Sequence, residues 1–249
     1  MSIDLFVRTR AEPPREFAWA WALERPASEQ LSVYVVPELA VPLPLPKKDN
    51  LFLWFGVPHP QCGPNLPDHL SEEEHARAAK FRFEADLWAY TAAHAGTRVL
   101  LGQMVGCAPH KLRFQTSPTG KPYLDHKDLC AAVQFSISHT RGCVAVAVAR
   151  CAVGVDVERR RQIPDMMAVA RMAFAPEARA ALVARSDRTA RMALFYRYWT
   201  LGEAFIKATG EGIAQDLTSF AFTAEGAPAL TRVSSGWGPV GRWRFCCVA

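Results

Sequence analysis

No CxxC pair occurs in this chain, and its seven cysteines are scattered, with only Cys246 and Cys247 adjacent. That pattern excludes a disulfide framework and a zinc ribbon and fits reduced thiols in the cytoplasm. Long apolar runs are also missing. The longest, such as 143–149, are strand-length and cannot cross a bilayer, so no membrane association is expected. The N-terminus carries no basic-then-apolar leader pattern, so export is not expected. A net charge of only +5 over 249 residues is too small for general nucleic-acid coating and favours an acidic partner or a phosphate-bearing substrate. The seven histidines show no HExxH spacing. Ser138 and His139 are sequence neighbours, a poor arrangement for a nucleophile and its base, and no GxSxG elbow is present. Thr119-Gly120-Lys121 lacks the upstream glycine of a phosphate-cradling loop. Gly236, Gly238 and Gly241 match GxGxxG formally, but Pro239 interrupts them and no acidic residue follows at the ribose distance, so they read as a turn.

What remains is enough apolar sequence, 50% of the chain, to bury a large core in one big domain or two small ones. Residues 1–46 are rich in Pro and Trp and end in alternating prolines, Pro42 to Pro46, which predicts an extension packed on the outside. Residues 51–57 read as a buried first strand. Ser71 followed by Glu72, Glu73 and Glu74 is a helix start, with helix through Lys80 and again over about 85–104. Arg77, Lys80 and Arg82 place positive charge near that turn; a solvated helix face is their simplest use. The cluster Ser117 to Pro122 holds Lys121 beside two structure breakers, in reach of a ligand across a cleft. Residues 135–140 alternate apolar and polar, and 142–149 run back, predicting a hairpin with Ser138, His139 and Thr140 at its bend, suited to an anionic group. Arg159, Arg160 and Arg161 form a basic patch, solvated or docking an acidic partner. Helices are expected over 164–174, 176–185 and 187–209, then strands over 217–222, 229–233 and 242–248. The two halves look alike, which predicts an internal duplication with a linker near 150–152 and a site between the halves.

Two stretches carry the chemistry. In Val153-Gly154-Val155-Asp156-Val157-Glu158 the acids alternate, so both carboxylates face the same side of a strand. In WTLGEAFIKATGEG, residues 199–212, Trp199, Glu203, Lys207 and Gly210 share one helix face. On an isolated helix Glu203 and Lys207 would be an ordinary surface pair worth about 0.3–0.5 kcal/mol. If strand and helix meet, Asp156, Glu158 and Glu203 converge. Three carboxylates repel one another unless a cation such as Mg2+ neutralises them, which leaves Lys207 free to meet a phosphate.

GVDVE followed by WTLGEAFIKATGEG resembles the signature of the 4′-phosphopantetheinyl transferase family, in the internally duplicated type that activates surfactin-like peptide synthetases. LSEEEHARAAKFRF, TGKPYL and FSISHT stand in the order that family has, and the resemblance covers roughly 50–222. It implies an α+β fold of two similar α/β subdomains in a pseudo-dimeric arrangement, with the active site in the cleft between them. The implied divisions are 1–46, an extension; 47–150, binding coenzyme A; and 151–249, supplying metal and catalytic groups. The implied reaction is Mg2+-dependent transfer of phosphopantetheine from coenzyme A to a serine of an acyl or peptidyl carrier protein, in a cytoplasmic monomer. Asp156, Glu158 and Glu203 would hold Mg2+; Glu203 would take the serine proton, directly or through a metal-bound water; Lys207 would steady or protonate the leaving phosphate. Arg77, Ser138 and His139 would surround the 3′-phosphate, with Lys121 on the adenosine side. Two departures stand out: Gly202 where the family usually has lysine, and Glu74 where a base is common. Gly202 keeps open an impaired relative that only binds coenzyme A or a carrier protein.

Overall fold

Two helices of equal length, α2 over Glu84–Val105 and α5 over Arg188–Thr209, sit on the outer faces of two sheets that pack against each other. Each ends on a glycine in the left-handed region, Gly106 at φ 68° and Gly210 at φ 75°, the conformation that terminates a helix at least cost without a β-carbon. The computed structural model describes residues 8–10, 15–24, 32–36, 43–58, 67–125, 133–212, 217–223 and 225–248. Much of the expected N-terminal extension, Pro42 included, lies outside them.

The first sheet runs β1 (Arg8–Arg10), β4 (Asn50–Val57), β8 (Cys143–Ala149), β7 (Gln134–Thr140), with β3 (Ser32–Val35) pairing parallel to β4. The second runs β12 (Trp243–Val248), β2 (Phe17–Glu24), β9 (Val153–Arg159), all antiparallel. Two small hairpins, β5 (Phe114–Thr116) with β6 (Pro122–Leu124) and β10 (Ala221–Thr223) with β11 (Ala229–Arg232), complete the strands. Three helices precede or join α5 and α2: α1 (Glu72–Ala78), α3 (Met166–Ala173) and α4 (Pro176–Ala184). The result is the expected α+β architecture of two similar halves.

Strand alternation builds the layers. In β2, Phe17, Trp19, Trp21 and Leu23 face the first sheet, where Trp19 meets Phe55 at 5.0 Å between ring centroids. Ala18, Ala20 and Ala22 face α5. Similarly, Val153, Val155 and Val157 of β9 fill the core between the sheets, and the intervening residues face α5. Residues 17–24, expected within an external extension, are thus the central strand of the second sheet. The prolines around them hid a regular alternation of Ala with large apolar residues.

The hairpin β7–β8 turns at Arg141 and Gly142 (φ 91°), not at Ser138–Thr140. Only glycine takes that backbone cheaply, so the bend falls there and Ser138 stays inside the strand. The GxGxxG stretch is a pair of single 3-10 turns, Ser235–Trp237 and Val240–Arg242, as expected.

Candidate active site

The site lies where β9, β7 and α5 meet. Alternation along β9 sends Asp156 and Glu158 towards α5, and the small side chains of Ala18, Ala20 and Gly154 let the helix lie directly on the strands. From α5, Trp199, Glu203 and Lys207 project at four-residue intervals into the same pocket of about 380 Å3, whose wall also holds Ile137, Ser138 and His139. The strand and helix therefore bring together all four residues singled out by spacing.

The two halves are stitched at this point by hydroxyls. Along the edge of β9 that faces β7, the Val155 amide donates to Ser136 Oγ at 3.1 Å and the Val157 amide to Ser138 Oγ at 3.2 Å. Ser138 also donates to Asp156 Oδ1 at 2.9 Å and accepts from Lys207 Nζ at 3.0 Å. One donor and two acceptor sites are then all in use. Ser138 is consequently a buried junction, not an open anion ligand at a bend. Lys207 is not left over either: its Nζ lies 2.7 Å from Asp156 Oδ1.

The opposite oxygen of that carboxylate is different. Asp156 is 3% exposed, and its Oδ2 is buried with no hydrogen-bond partner. A buried, unpaired carboxylate oxygen is costly and marks a place for a donor or a cation. Burial pushes the Glu158 carboxyl up to about 7, with Asp156 and Glu203 adding repulsion and bonds from Trp199 and attraction from Lys207 opposing it. Burial and Asp156 push Glu203 up as well. Among the described residues no three His, Cys, Asp or Glu side chains are gathered into a ready metal cage. The three acids line one pocket, crowd one another electrostatically and leave one oxygen vacant of partners, which is the chemistry a hard divalent cation satisfies.

Lys121 sits in an adjoining pocket of about 520 Å3, with Thr119, Gly120 and Pro122 on one wall and Glu203, Ile206, Lys207 and Gly210 on another. Its Nζ donates to the Ala208 carbonyl at 2.9 Å and reaches the Val153 carbonyl at 3.4 Å. A cation on the last carbonyls of α5 complements the helix dipole. Burial lowers its ammonium to about 8. Thr119 Oγ1 donates to the Gly210 carbonyl beside it. His139 borders the reaction pocket; loss of solvation around its ring lowers its basicity to about 4, the charges of His94 and Lys207 act in the same sense, and Asp86 opposes them. Arg77 is exposed on α1 and lines neither pocket.

The two departures have structural reasons. Glu74 is the third residue of a capping box with Ser71 and bonds His94 at 3.1 Å and the buried Arg98 at 2.5 Å. Gly202 faces away from the pocket: a β-carbon there would meet Leu217 Cδ2 at 3.0 Å and the Phe220 ring at 3.7 Å. No charge is missing from the reaction pocket at 202. Sequence reading missed Gly154 and Ser136; a glycine in mid-strand was the available signal for the first.

The chain is similar to known families and proteins over most of its length. Residues 64–151 match a family model described as "4′-phosphopantetheinyl transferase, N-terminal", and residues 152–247 match one described as "4′-phosphopantetheinyl transferase superfamily". The chain is 33% identical over 171 residues to the 4′-phosphopantetheinyl transferase HetI of Nostoc sp., covering 67% of this chain and 71% of that one. It is 31% identical over 155 residues to the 4′-phosphopantetheinyl transferase psf-1 of Bacillus pumilus, covering 62% and 64%. With the human L-aminoadipate-semialdehyde dehydrogenase-phosphopantetheinyl transferase it shares 28% over 179 residues, covering 65% and 58%. The matches to the latter two thus span less than two thirds of those proteins' length. Among the described residues no helix is long and apolar enough to cross a membrane.

Proposed function

This chain belongs to the 4′-phosphopantetheinyl transferase superfamily, and we propose that it transfers 4′-phosphopantetheine from coenzyme A to a serine of an acyl or peptidyl carrier protein, releasing adenosine 3′,5′-bisphosphate. The meeting of Asp156, Glu158, Glu203 and Lys207 in one pocket carries the reading. Asp156, Glu158 and Glu203 are the residues that would hold Mg2+, which suits the unpartnered Asp156 Oδ2 and the mutual repulsion of the acids. When bound, Mg2+ supplies positive charge against the pyrophosphate oxygens of coenzyme A.

The protein's own groups do the rest. Glu203, which projects into the reaction pocket, takes the proton of the carrier serine. The serine oxygen forms a bond to the phosphorus that bears pantetheine, and the bond from that phosphorus to the bridging oxygen breaks. Lys207 turns from Asp156 to the departing phosphate and steadies or protonates it. Ser138 holds Asp156 and Lys207 in register. Lys121 and the pocket around it receive the adenosine side; for His139, at the rim of the reaction pocket, and Arg77, exposed on α1, a role at the 3′-phosphate rests on the family resemblance alone. Coenzyme A rests chiefly on residues 47–150, while 151–249 supply the acids and Lys207. The acids and Lys207 all come from one chain, which supports a monomer; a cytoplasmic location is part of the same proposal.

The test is mass spectrometry of a panel of apo acyl and peptidyl carrier proteins incubated with the chain, coenzyme A and Mg2+. A gain of the phosphopantetheine mass that disappears with Glu203→Gln is expected; no gain with any carrier overturns the proposal. Independently of turnover, Mg2+ should raise the melting temperature of the wild type and not of Glu158→Gln.

A further inference from the structure

Two lysines line the pocket on the nucleotide side, and their charges meet different partners. Lys207 pairs with Asp156, whereas Lys121 makes no ion pair among the described residues. Its ammonium lies against main chain instead: the Ala208 carbonyl at 2.9 Å, in the last turn of α5, and the Val153 carbonyl at 3.4 Å, at the start of β9. The last four carbonyls of a helix have no partner within it, and a cation there also meets the negative end of the helix dipole. Ala208 adjoins Lys207, and Val153 adjoins Gly154, where strand and helix crowd each other. Lys121 therefore touches both elements that carry the reacting groups, beside their crossing.

The loop that presents Lys121 is built to keep it there. The Ser117 amide donates to the Lys121 carbonyl at 2.9 Å, and Ser117 Oγ accepts from the Lys121 amide at 3.0 Å. Thr119 Oγ1 donates to the Gly210 carbonyl, so the 2.9 Å bond between the Ser117 and Thr119 hydroxyls takes its hydrogen from Ser117. Across the contact stand glycines. A β-carbon at Gly210 would come within 2.9 Å of Lys121 Cδ, and one at Gly212 within 2.6 Å of the Thr119 carbonyl oxygen. The loop between β5 and β6, from the first half, thus lies directly on the end of α5, from the second.

A lysine that grips phosphate has to present its ammonium to the ligand. Here the stem crosses Gly210 and the ammonium faces carbonyl oxygens. Turning it to a phosphate would leave the Ala208 carbonyl unpaired at the end of the helix that carries Glu203 and Lys207. Building on the proposed transfer, we infer that Lys121 is a positioning residue. With Thr119 it clasps the loop between β5 and β6 to α5 and β9, so that its stem forms a fixed wall of the coenzyme A pocket while its ammonium binds no phosphate.

The test separates a clasp from a phosphate ligand by starting with the protein alone. Amide hydrogen exchange is followed over 206–212 in wild type, Lys121→Met and Thr119→Val, and coenzyme A binding is titrated by calorimetry across a range of salt. Methionine keeps the length of the stem without its charge, and Thr119 is exposed, so that the second variant keeps the fold. Exchange over 206–212 should be at least about threefold faster in both variants and unchanged over α2, with the dissociation constant for coenzyme A raised about tenfold by Lys121→Met and less by Thr119→Val. If no charge has been taken from the phosphates, the fall of affinity with salt should keep its slope. Wild-type exchange in both variants would overturn the clasp. A markedly flatter salt dependence in Lys121→Met would overturn it too and make the lysine a phosphate ligand. Carrier mass gain reports separately: faster exchange in the variants with no gain by the wild type on any carrier would overturn the transfer and leave the clasp standing, and gain with unaltered exchange would do the reverse.

Discussion

Gly154 of β9 lies so close to Ala204 of α5 that a β-carbon at 154 would overlap the Ala204 carbonyl oxygen and come within 2.6 Å of the Ala208 amide. This approach of two backbones puts Asp156, two residues on, within reach of Lys207. Gly154→Ala must push strand and helix apart. We expect a loss of at least about 1–3 kcal/mol of stability in denaturant unfolding, accompanied by loss of transfer. A stable, active alanine variant would show that the backbone separation is not what sets the site.

Asp156 is no ordinary surface ligand, since it is buried and bonds Ser138 and Lys207. Asp156→Asn keeps an acceptor for Ser138 while removing the charge, and should cut transfer by at least about a hundredfold with little change in melting temperature. Asp156→Ala leaves Ser138 and Lys207 without their partner and should also cost about 1–3 kcal/mol in denaturant unfolding. Equal stability of the two variants would contradict the junction described here.

Glu74 provides a pH signature outside the site. Burial alone would raise its carboxyl, but bonds from His94, Arg98 and Ser71 outweigh burial and hold it at about 2, against an ordinary 4.5. A folded value below the unfolded one means that the unfolded chain takes up the proton first. The contribution is therefore complete above 4.5 and drains away as pH falls towards 2. Urea unfolding between these limits should show a steep decline that Glu74→Gln flattens. An unchanged slope in the glutamine variant would assign the decline to other carboxylates.

Placing the family's usual lysine at 202 should not improve the enzyme. The position looks onto Leu217 and Phe220, so Gly202→Lys gains helix propensity of about 1 kcal/mol but crowds an apolar contact at a cost of about 1–3 kcal/mol. We expect a lower melting temperature and no tighter binding of coenzyme A by calorimetry. Tighter binding would mean that the 217–220 segment yields and the side chain reaches the phosphates.

Period and spacing made the reaction pocket legible. Alternation in 153–158 and the four-residue rhythm of Trp199, Glu203 and Lys207 needed no tertiary information to give facing carboxylates and a helix stripe. Long-range pairings were not readable in this way. The partner of Lys207 is an aspartate 51 residues away, and Ser138 serves a strand 18 or more residues on. Gly202 looked like a missing charge because sequence does not say which way a helix position points once a later segment packs against it. The strand at 17–24 was obscured by prolines on both sides, although its alternation of alanine with large apolar residues was in plain view.

That strand has a temporal consequence. Trp19 is registered with Val248 and Leu23 with Val153, so the second sheet is assembled from both extremes of the described chain and its middle. Loops of this span close slowly, because contacts far apart in sequence must form before any of them is rewarded. During synthesis, the edge of Phe17–Glu24 that β12 covers waits through more than two hundred residues for its partner. Until then that bare backbone edge is open to pairing with other chains and needs protection from aggregation.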